Sequence, residues 1–162
     1  MNKQRIYLGL GTNTGSKADN LTRAIEALSL ALGLPAAVSR YMESEPWGFD
    51  SANTFLNCVA AFDTTLAPLQ LLDTTEEIER RLGRTSKSTN GQYSDRIIDI
   101  DILFYGDEII ESDRLTVPHP LLDQRDFVLL PLIEIAPTLV HPQLRQTPGE
   151  MHERLHRFVK KT

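Results

Sequence analysis

The chain has 162 residues, of which 41% are hydrophobic and 24% charged, with a formal net charge of -5 and a sequence pI near 5.3. That balance fits one globular domain, residues 1–162, with enough apolar material for a core; it excludes a broad nucleic-acid surface but leaves room for a local cationic pocket and a small anionic ligand. Cys58 is the single cysteine, so an intrachain disulfide is excluded; no apolar run approaches the ~20 residues of a membrane span, MNKQRIYLGLG is too briefly apolar for a signal peptide, and a cytoplasmic monomer touching neither membrane nor nucleic acid is expected.

The first element is a short β run, RIYLGLG. Its glycines invite a phosphate-loop reading, but a dinucleotide fingerprint needs glycine where Thr14 stands and no G-K-[ST] follows, so Gly9 and Gly11 are read as points of close backbone approach. SKADNLTRAIEALSLALG then shows helix periodicity through Leu21, Ala24, Ile25, Leu28 and Leu32; Ser16 and Asp19 have capping-box spacing, and Gly33 with Pro35 supplies a stop. AAVSRYMES predicts a second strand and TFLNCVAAFD a third, separated by the turn-rich EPWGFDSAN. On the third strand, Leu56, Cys58, Ala60 and Phe62 make an apolar face suited to helices, and Phe55, Asn57, Val59 and Ala61 take the opposite one.

A second helix is predicted from Pro68 to Leu82, with Leu71, Thr75, Ile78 and Leu82 on one stripe before Gly83. RIIDIDILFYG, residues 96–106, follows as a strand buried on both faces. The β-α-β-β-α-β order predicts a ferredoxin-like α+β sandwich, with both helices on one sheet face and the other face open. After Tyr105 a hairpin is expected; prolines then break VPHPLLDQRDFVLLPLIEIAP into short helical pieces, and Pro148 to Lys160 closes with a helix.

Asp99 and Asp101 interrupt the apolar strand at a spacing of two, which places both on one face and Ile98, Ile100 and Ile102 on the other. Their α-carbons lie ~6.6 Å apart, and at an effective dielectric of about 20 two such anions repel by roughly 2 to 3 kcal/mol. On an edge strand such a pair is commonly a solvated face. The flanking Ile and Phe residues argue instead for a central strand, where unpaired carboxylates are costly, so a divalent cation is the natural compensation, and a pair of carboxylates suits Mg²⁺, which completes its shell with water and substrate phosphates. Just upstream, GRTSKSTNGQYSDR carries Arg84, Lys87 and Arg96 with little apolar content beyond Tyr93, the composition of a phosphate-directed lid. His119, between two prolines, stands with Arg114, Arg125 and Phe127 as a cationic rim around an aromatic; Trp47, Phe55 and Phe127 could sandwich a flat ligand whose edge Asn57 would read.

DRIIDIDIL, together with RLTVPHP, FLN and the opening LGLGTN, resembles the 6-hydroxymethyl-7,8-dihydropterin pyrophosphokinases of folate biosynthesis, over roughly residues 5 to 140. The resemblance implies a ferredoxin-like fold and transfer of the β,γ-pyrophosphoryl unit of ATP to the pterin hydroxymethyl oxygen, with two Mg²⁺ ions held by Asp99 and Asp101. It places Arg84 and Arg96 over the triphosphate as catalytic groups. Glu79, Ile102, Arg114, Thr116, His119 and Arg125 fall on the nucleotide side, and Ser44, Trp47, Phe55, Asn57, Tyr93 and Phe127 on the pterin side. QYSDR departs from the family's usual lead of K/R-W-G-P-R, two extra residues lie between Arg84 and Arg96, and Ser86 and Pro120 stand where a basic residue and a tyrosine are often found; Lys87 is the nearest substitute cation. The residues taken without the resemblance also fit another Mg²⁺-dependent nucleotidyl or phosphoryl transferase, or a non-catalytic ferredoxin-like ligand-binding module; the absence of a basic-aromatic sheet motif counts against RNA as the ligand.

Overall fold

A computed structural model describes residues 2–45, 54–83 and 97–160, the last three without side-chain detail. The fold is α+β. The main sheet is built from β1 (Gln4–Thr12), β2 (Ala37–Val38), β3 (Met42–Ser44), β4 (Phe55–Thr64) and β5 (Asp99–Tyr105), in the order β2-β4-β1-β5 with β3 also pairing β4. So β5 is an edge strand and not the central one its Ile and Phe residues suggested: its apolar side chains are covered by helices, and its Ile100 N–H is donated to the Glu79 side chain. The pairings are all antiparallel. Helices α1 (Lys17–Leu32) and α2 (Pro68–Gly83) connect the strands; the short hairpin β6 (Ile110–Glu111) and β7 (Thr116–Val117), a 3-10 turn at Leu122–Gln124, and helices α3 (Asp126–Ile135) and α4 (Pro148–Lys160) complete the chain.

Strand alternation sorts the core into two layers. Ile6, Leu8, Leu10, Cys58, Ala60, Phe62, Ile98, Ile100 and Ile102 point to one side of the sheet, where Leu21, Ala24 and Leu28 of α1 and Leu71 and Ile78 of α2 meet them. Each fully buried aliphatic side chain here contributes roughly 1.5 to 3 kcal/mol of transfer free energy. Tyr7, Val59, Ala61, Leu103 and Phe104 point to the other side and pack on Leu122, Val128, Leu129, Leu132 and Met151. The second sheet face is therefore not left open: α3 and α4 cover one part, and a strip around Gly9, Gly11, Asp99 and Asp101 stays half-exposed.

Three local expectations are corrected. The predicted strand over AAVSRYMES splits into β2 and β3 because the buried Ser39 hydroxyl accepts the Val59 N–H at 2.9 Å, taking a ladder bond from the backbone. The next residue leaves the sheet, and its amide, that of Arg40, is donated to the Glu134 carboxylate on α3 at 3.0 Å. Ser16 precedes α1 without a side-chain cap bond; the Asn20 side chain instead donates to Thr12 Oγ1 and the Thr14 carbonyl, tying the helix to the end of β1. Pro131 does not break the chain but lies inside α3, where burial of Val128, Leu129 and Leu132 against the sheet outweighs the one lost helical bond. Elsewhere α1 ends as expected at Gly33, whose φ of 96° suits a residue without a side chain, and α4 covers the residues assigned to it.

Candidate active site

The register of β1 with its two neighbours builds the centre of the site. Gly11 pairs with Asn57 on one side and Asp99 on the other, and one step along, Gly9 pairs with Val59 and Asp101. Paired residues in a sheet share a face, so Asp99 and Asp101 stand together on the strip beside α3 while Ile98, Ile100 and Ile102 sink into the helix-covered core, as the spacing required. Asn57 and Asp99 are separated by two strand spacings, about 9.5 Å, with a glycine between them. The result is a shallow saddle: an amide at one rim, a carboxylate at the other, and backbone as its floor.

The amide is locked. Asn57 Nδ2 donates to Ser44 Oγ at 2.8 Å and to the Met42 carbonyl at 3.2 Å, an arrangement that requires the short β3 beside β4. Both amide hydrogens being used within the sheet, Oδ1 is turned toward Gly11; a Cβ built there would meet it at 3.0 Å. Phe55 begins β4 and approaches the same glycine, with its Cδ1 3.6 Å from that Cβ position. Lys17 Nζ donates to the Thr54 carbonyl at 3.0 Å and so holds the start of β4 against α1.

Cationic and neutral donors gather at the acid end. Arg125 Nη1 lies 3.8 Å and His119 Nε2 4.0 Å from the same oxygen of Asp101, and the Arg125 guanidinium sits 5.5 Å from the centre of the Phe127 ring. The backbone N–H of Leu121 donates to His119 Nδ1 at 3.2 Å, which assigns the ring proton to Nε2, toward the acid. Burial, and then the Arg125 charge, push the His119 pKa down to about 4 against the opposing pull of Asp99, so the ring is neutral at physiological pH. The His119 amide donates to the Leu103 carbonyl at 3.0 Å, fastening this loop to β5.

A third carboxyl sits beneath the acid pair. Glu79 on α2 accepts the Ile100 N–H at 2.7 Å; burial raises its pKa to about 8, and the charges of Asp99 and Asp101 push the same way while the Ile100 bond opposes them. Burial and the neighbouring acids thus bias Glu79 toward its neutral form. Two hard oxygen donors on one face, half-exposed, with a guanidinium alongside, match what Mg²⁺ and a phosphate chain require.

Other residues singled out in the sequence lie apart from this centre. The Ile102 side chain is buried in the core on the opposite face. Arg114 is drawn to α2, where its guanidinium meets Asp73 at 2.8 Å and Glu76 at 3.0 Å, and Thr116 is exposed on the hairpin next to it. Trp47, Arg84, Lys87, Tyr93 and Arg96 lie outside the described residues. Sequence reasoning missed the Leu121 amide, which chooses the His119 tautomer, and the Met42 carbonyl, which fixes Asn57; backbone groups leave no mark in a list of side chains.

The profile of the 7,8-dihydro-6-hydroxymethylpterin-pyrophosphokinase family matches residues 7–137, spanning β1 through α3 and so every described group of this site. This chain is a member of that family. Among curated relatives, the 2-amino-4-hydroxy-6-hydroxymethyldihydropteridine pyrophosphokinase of Porphyromonas gingivalis is 47% identical over 139 residues, covering 85% of this chain and 94% of the relative. That of Aquifex aeolicus is 41% identical over 141 residues, covering 87% and 86%. Among solved structures, the Plasmodium falciparum HPPK-DHPS crystal structure with pteroate superposes with a TM-score of 0.79 at 16% identity, over 100% of this chain and 46% of that one. This chain therefore spans about half the length of that protein, and the likeness supports the α+β pyrophosphokinase fold.

Proposed function

We propose that the saddle between Asn57 and Asp99 is where a pterin hydroxyl meets the phosphate chain of ATP, with Asp99 and Asp101 as the metal ligands. In keeping with its family, the chain is an ATP-dependent pyrophosphokinase of folate synthesis: it transfers the pyrophosphoryl group of ATP to hydroxymethyldihydropterin. The observation that carries the site assignment is the cross-strand row Asn57–Gly11–Asp99, which sets a ring-reading amide and a metal-binding carboxylate on opposite rims of one open floor.

The pterin hydroxymethyl oxygen attacks the β-phosphorus, the bond from that phosphorus to the α-phosphate bridging oxygen breaks, and AMP leaves. Asp99 and Asp101 would hold two Mg²⁺ ions, which would supply neutralisation of the charge on the triphosphate oxygens. Arg125 adds a fixed positive charge beside Asp101, and the Nε2–H of neutral His119 donates without adding charge. Asn57 Oδ1 accepts from the pterin edge, with Ser44 fixing its orientation and Phe55, Phe127, Trp47 and Tyr93 packing around the ring. Arg84 and Arg96 close over the phosphates, and the nucleotide runs past Glu79 and the backbone of Ile102 toward Thr116 and Arg114, whose guanidinium would exchange Asp73 and Glu76 for it. The ferredoxin-like reading suits this arrangement, since the strand order, with β2 and β3 taken as one split strand, puts the first and third strands of the motif at the sheet centre and the last, acid-bearing strand beside the first at an edge. We further propose that it acts as a cytoplasmic monomer on two small-molecule substrates; none of the described helices is long and apolar enough to cross a membrane.

The test is pterin-dependent AMP formation from ATP and Mg²⁺. Asp99→Ala and Asp101→Ala are each expected to lower turnover by about 10³-fold or more while the circular dichroism spectrum is kept. Near-normal turnover in either variant would remove that carboxylate from the metal site, and release of ADP in place of AMP would point to a different phosphotransfer.

A further inference from the structure

A second group of ligating side chains lies outside the row described above. His152 and His156 stand one turn apart on one face of α4, and Asp126, the first residue of α3, reaches between them. His156 Nε2 is 2.7 Å and His152 Nε2 3.6 Å from Asp126 Oδ1, the imidazole centroids are 4.5 Å apart, and the three ligating atoms all lie within 4.8 Å of one another. A tetrahedral zinc ion with bonds of ~2.0 to 2.1 Å needs its ligand atoms about 3.3 Å apart. The three atoms bracket that spacing. The side chains are about one-third to two-fifths exposed, so their rotation need not disturb the core.

We propose that Asp126, His152 and His156 form a separate site for a borderline divalent ion of the zinc type, which clasps α4 to the start of α3. Two imidazoles at i and i+4 on a helix form a chelating pair, and the added carboxylate leaves a fourth position for water. The donor set discriminates between ions: nitrogen ligands favour zinc and its transition-metal neighbours over Mg²⁺, which belongs with the oxygen donors of Asp99 and Asp101. The remaining histidines of the chain do not compete, because His119 and His141 each already accept backbone N–H bonds at Nδ1. Cys58 is buried, with its thiol pKa pushed up to about 12. Asp126 lies between Arg125 and Phe127, so the clasp would also steady the backbone that presents those two side chains to the saddle.

The proposal does not depend on the pyrophosphokinase reading, and its test reads metal binding directly. Metal-free full-length protein is titrated with Zn²⁺ by calorimetry in saturating Mg²⁺, which occupies the acid pair, and with Co²⁺ by visible absorption. One equivalent of Zn²⁺ is expected, with a rise in Tm, a cobalt spectrum of tetrahedral intensity, and perturbation of the His152 and His156 ring signals in NMR. His152→Ala and His156→Ala should each weaken binding by more than the roughly 10- to 100-fold that loss of an outer-shell partner costs a metal site. The milder His156→Gln should do the same if the alanine variants fold poorly. Failure of the folded protein to bind Zn²⁺ in Mg²⁺, or binding unchanged in both histidine variants, overturns the proposal.

Discussion

Gly11 shows how much of the site depends on a side chain that is missing. Flanked in register by Asn57 and Asp99, it must stay flat for a ligand to lie between them. An alanine Cβ there would come within 3.0 Å of Asn57 Oδ1, and Asn57 cannot easily yield because Ser44 and Met42 hold its other end. Gly11→Ala is therefore expected to weaken pterin binding about 10-fold or more, roughly 1.4 kcal/mol, with little change in Tm; calorimetric titration with the pterin checks it, and wild-type affinity would show that the ring lies elsewhere. The sequence made the acid pair legible because strand periodicity alone forces residues two apart onto one face. It did not reveal that Gly11 lies between Asp99 and Asn57, because cross-strand register depends on partners 46 and 88 residues downstream of that glycine. Arg114 is the counterexample: its charge and its neighbourhood to His119 in sequence suggested a common rim, but the carboxylates of Asp73 and Glu76 on α2 attract it elsewhere.

At the scale of elements, the split between β2 and β3 has functional weight. Were residues 36–44 one regular strand, Ser39 would not intercept the Val59 amide, and the chain would not swing past Glu134 before returning to bring Ser44 against Asn57. Val59 is fully buried, so Ser39→Ala leaves its N–H without that acceptor and should cost about 1 to 3 kcal/mol, measured as a lowered urea midpoint. A change below about 0.5 kcal/mol would mean that the backbone re-forms the ladder unaided. The elements themselves were largely readable: the helical stripes of α1 and α2 and the alternation of β4 each follow from one local period and a buried partner. Pro131 was misread because a local rule about proline takes no account of the sheet against which α3 is pressed.

Over the whole molecule, α3, α4 and the segment between them close the second sheet face, and His141 anchors that closure. It is 5% exposed, its Nδ1 accepts the N–H groups of Gln143 and Leu144 at 3.1 and 3.0 Å, and its ring meets Phe104 edge-on at 5.7 Å. Burial lowers its pKa, with the Arg154 charge in support and the Asp123 charge opposing. The folded state thus binds this proton less readily than the unfolded chain, whose histidine titrates near 6.5. Its contribution to stability is complete above that value and is lost as pH falls through it toward the lower folded pKa. Calorimetry between about pH 7.5 and 5 should show Tm falling on the acid side, and His141→Asn, which retains an acceptor without titrating, should flatten that fall. An equal slope in the variant would assign the acid sensitivity to other groups.

The chain by itself determined its secondary structure, its α+β class, its family and the shared face of Asp99 and Asp101, because these follow from local periodicity and from motifs contiguous in sequence. Only the tertiary structure decided what stands opposite those acids, which tautomer His119 adopts, where Arg114 spends its charge, and how much of the sheet α3 and α4 leave uncovered. Those outcomes arise from register and packing between segments distant along the chain, where each group settles on the partner that lowers its free energy most.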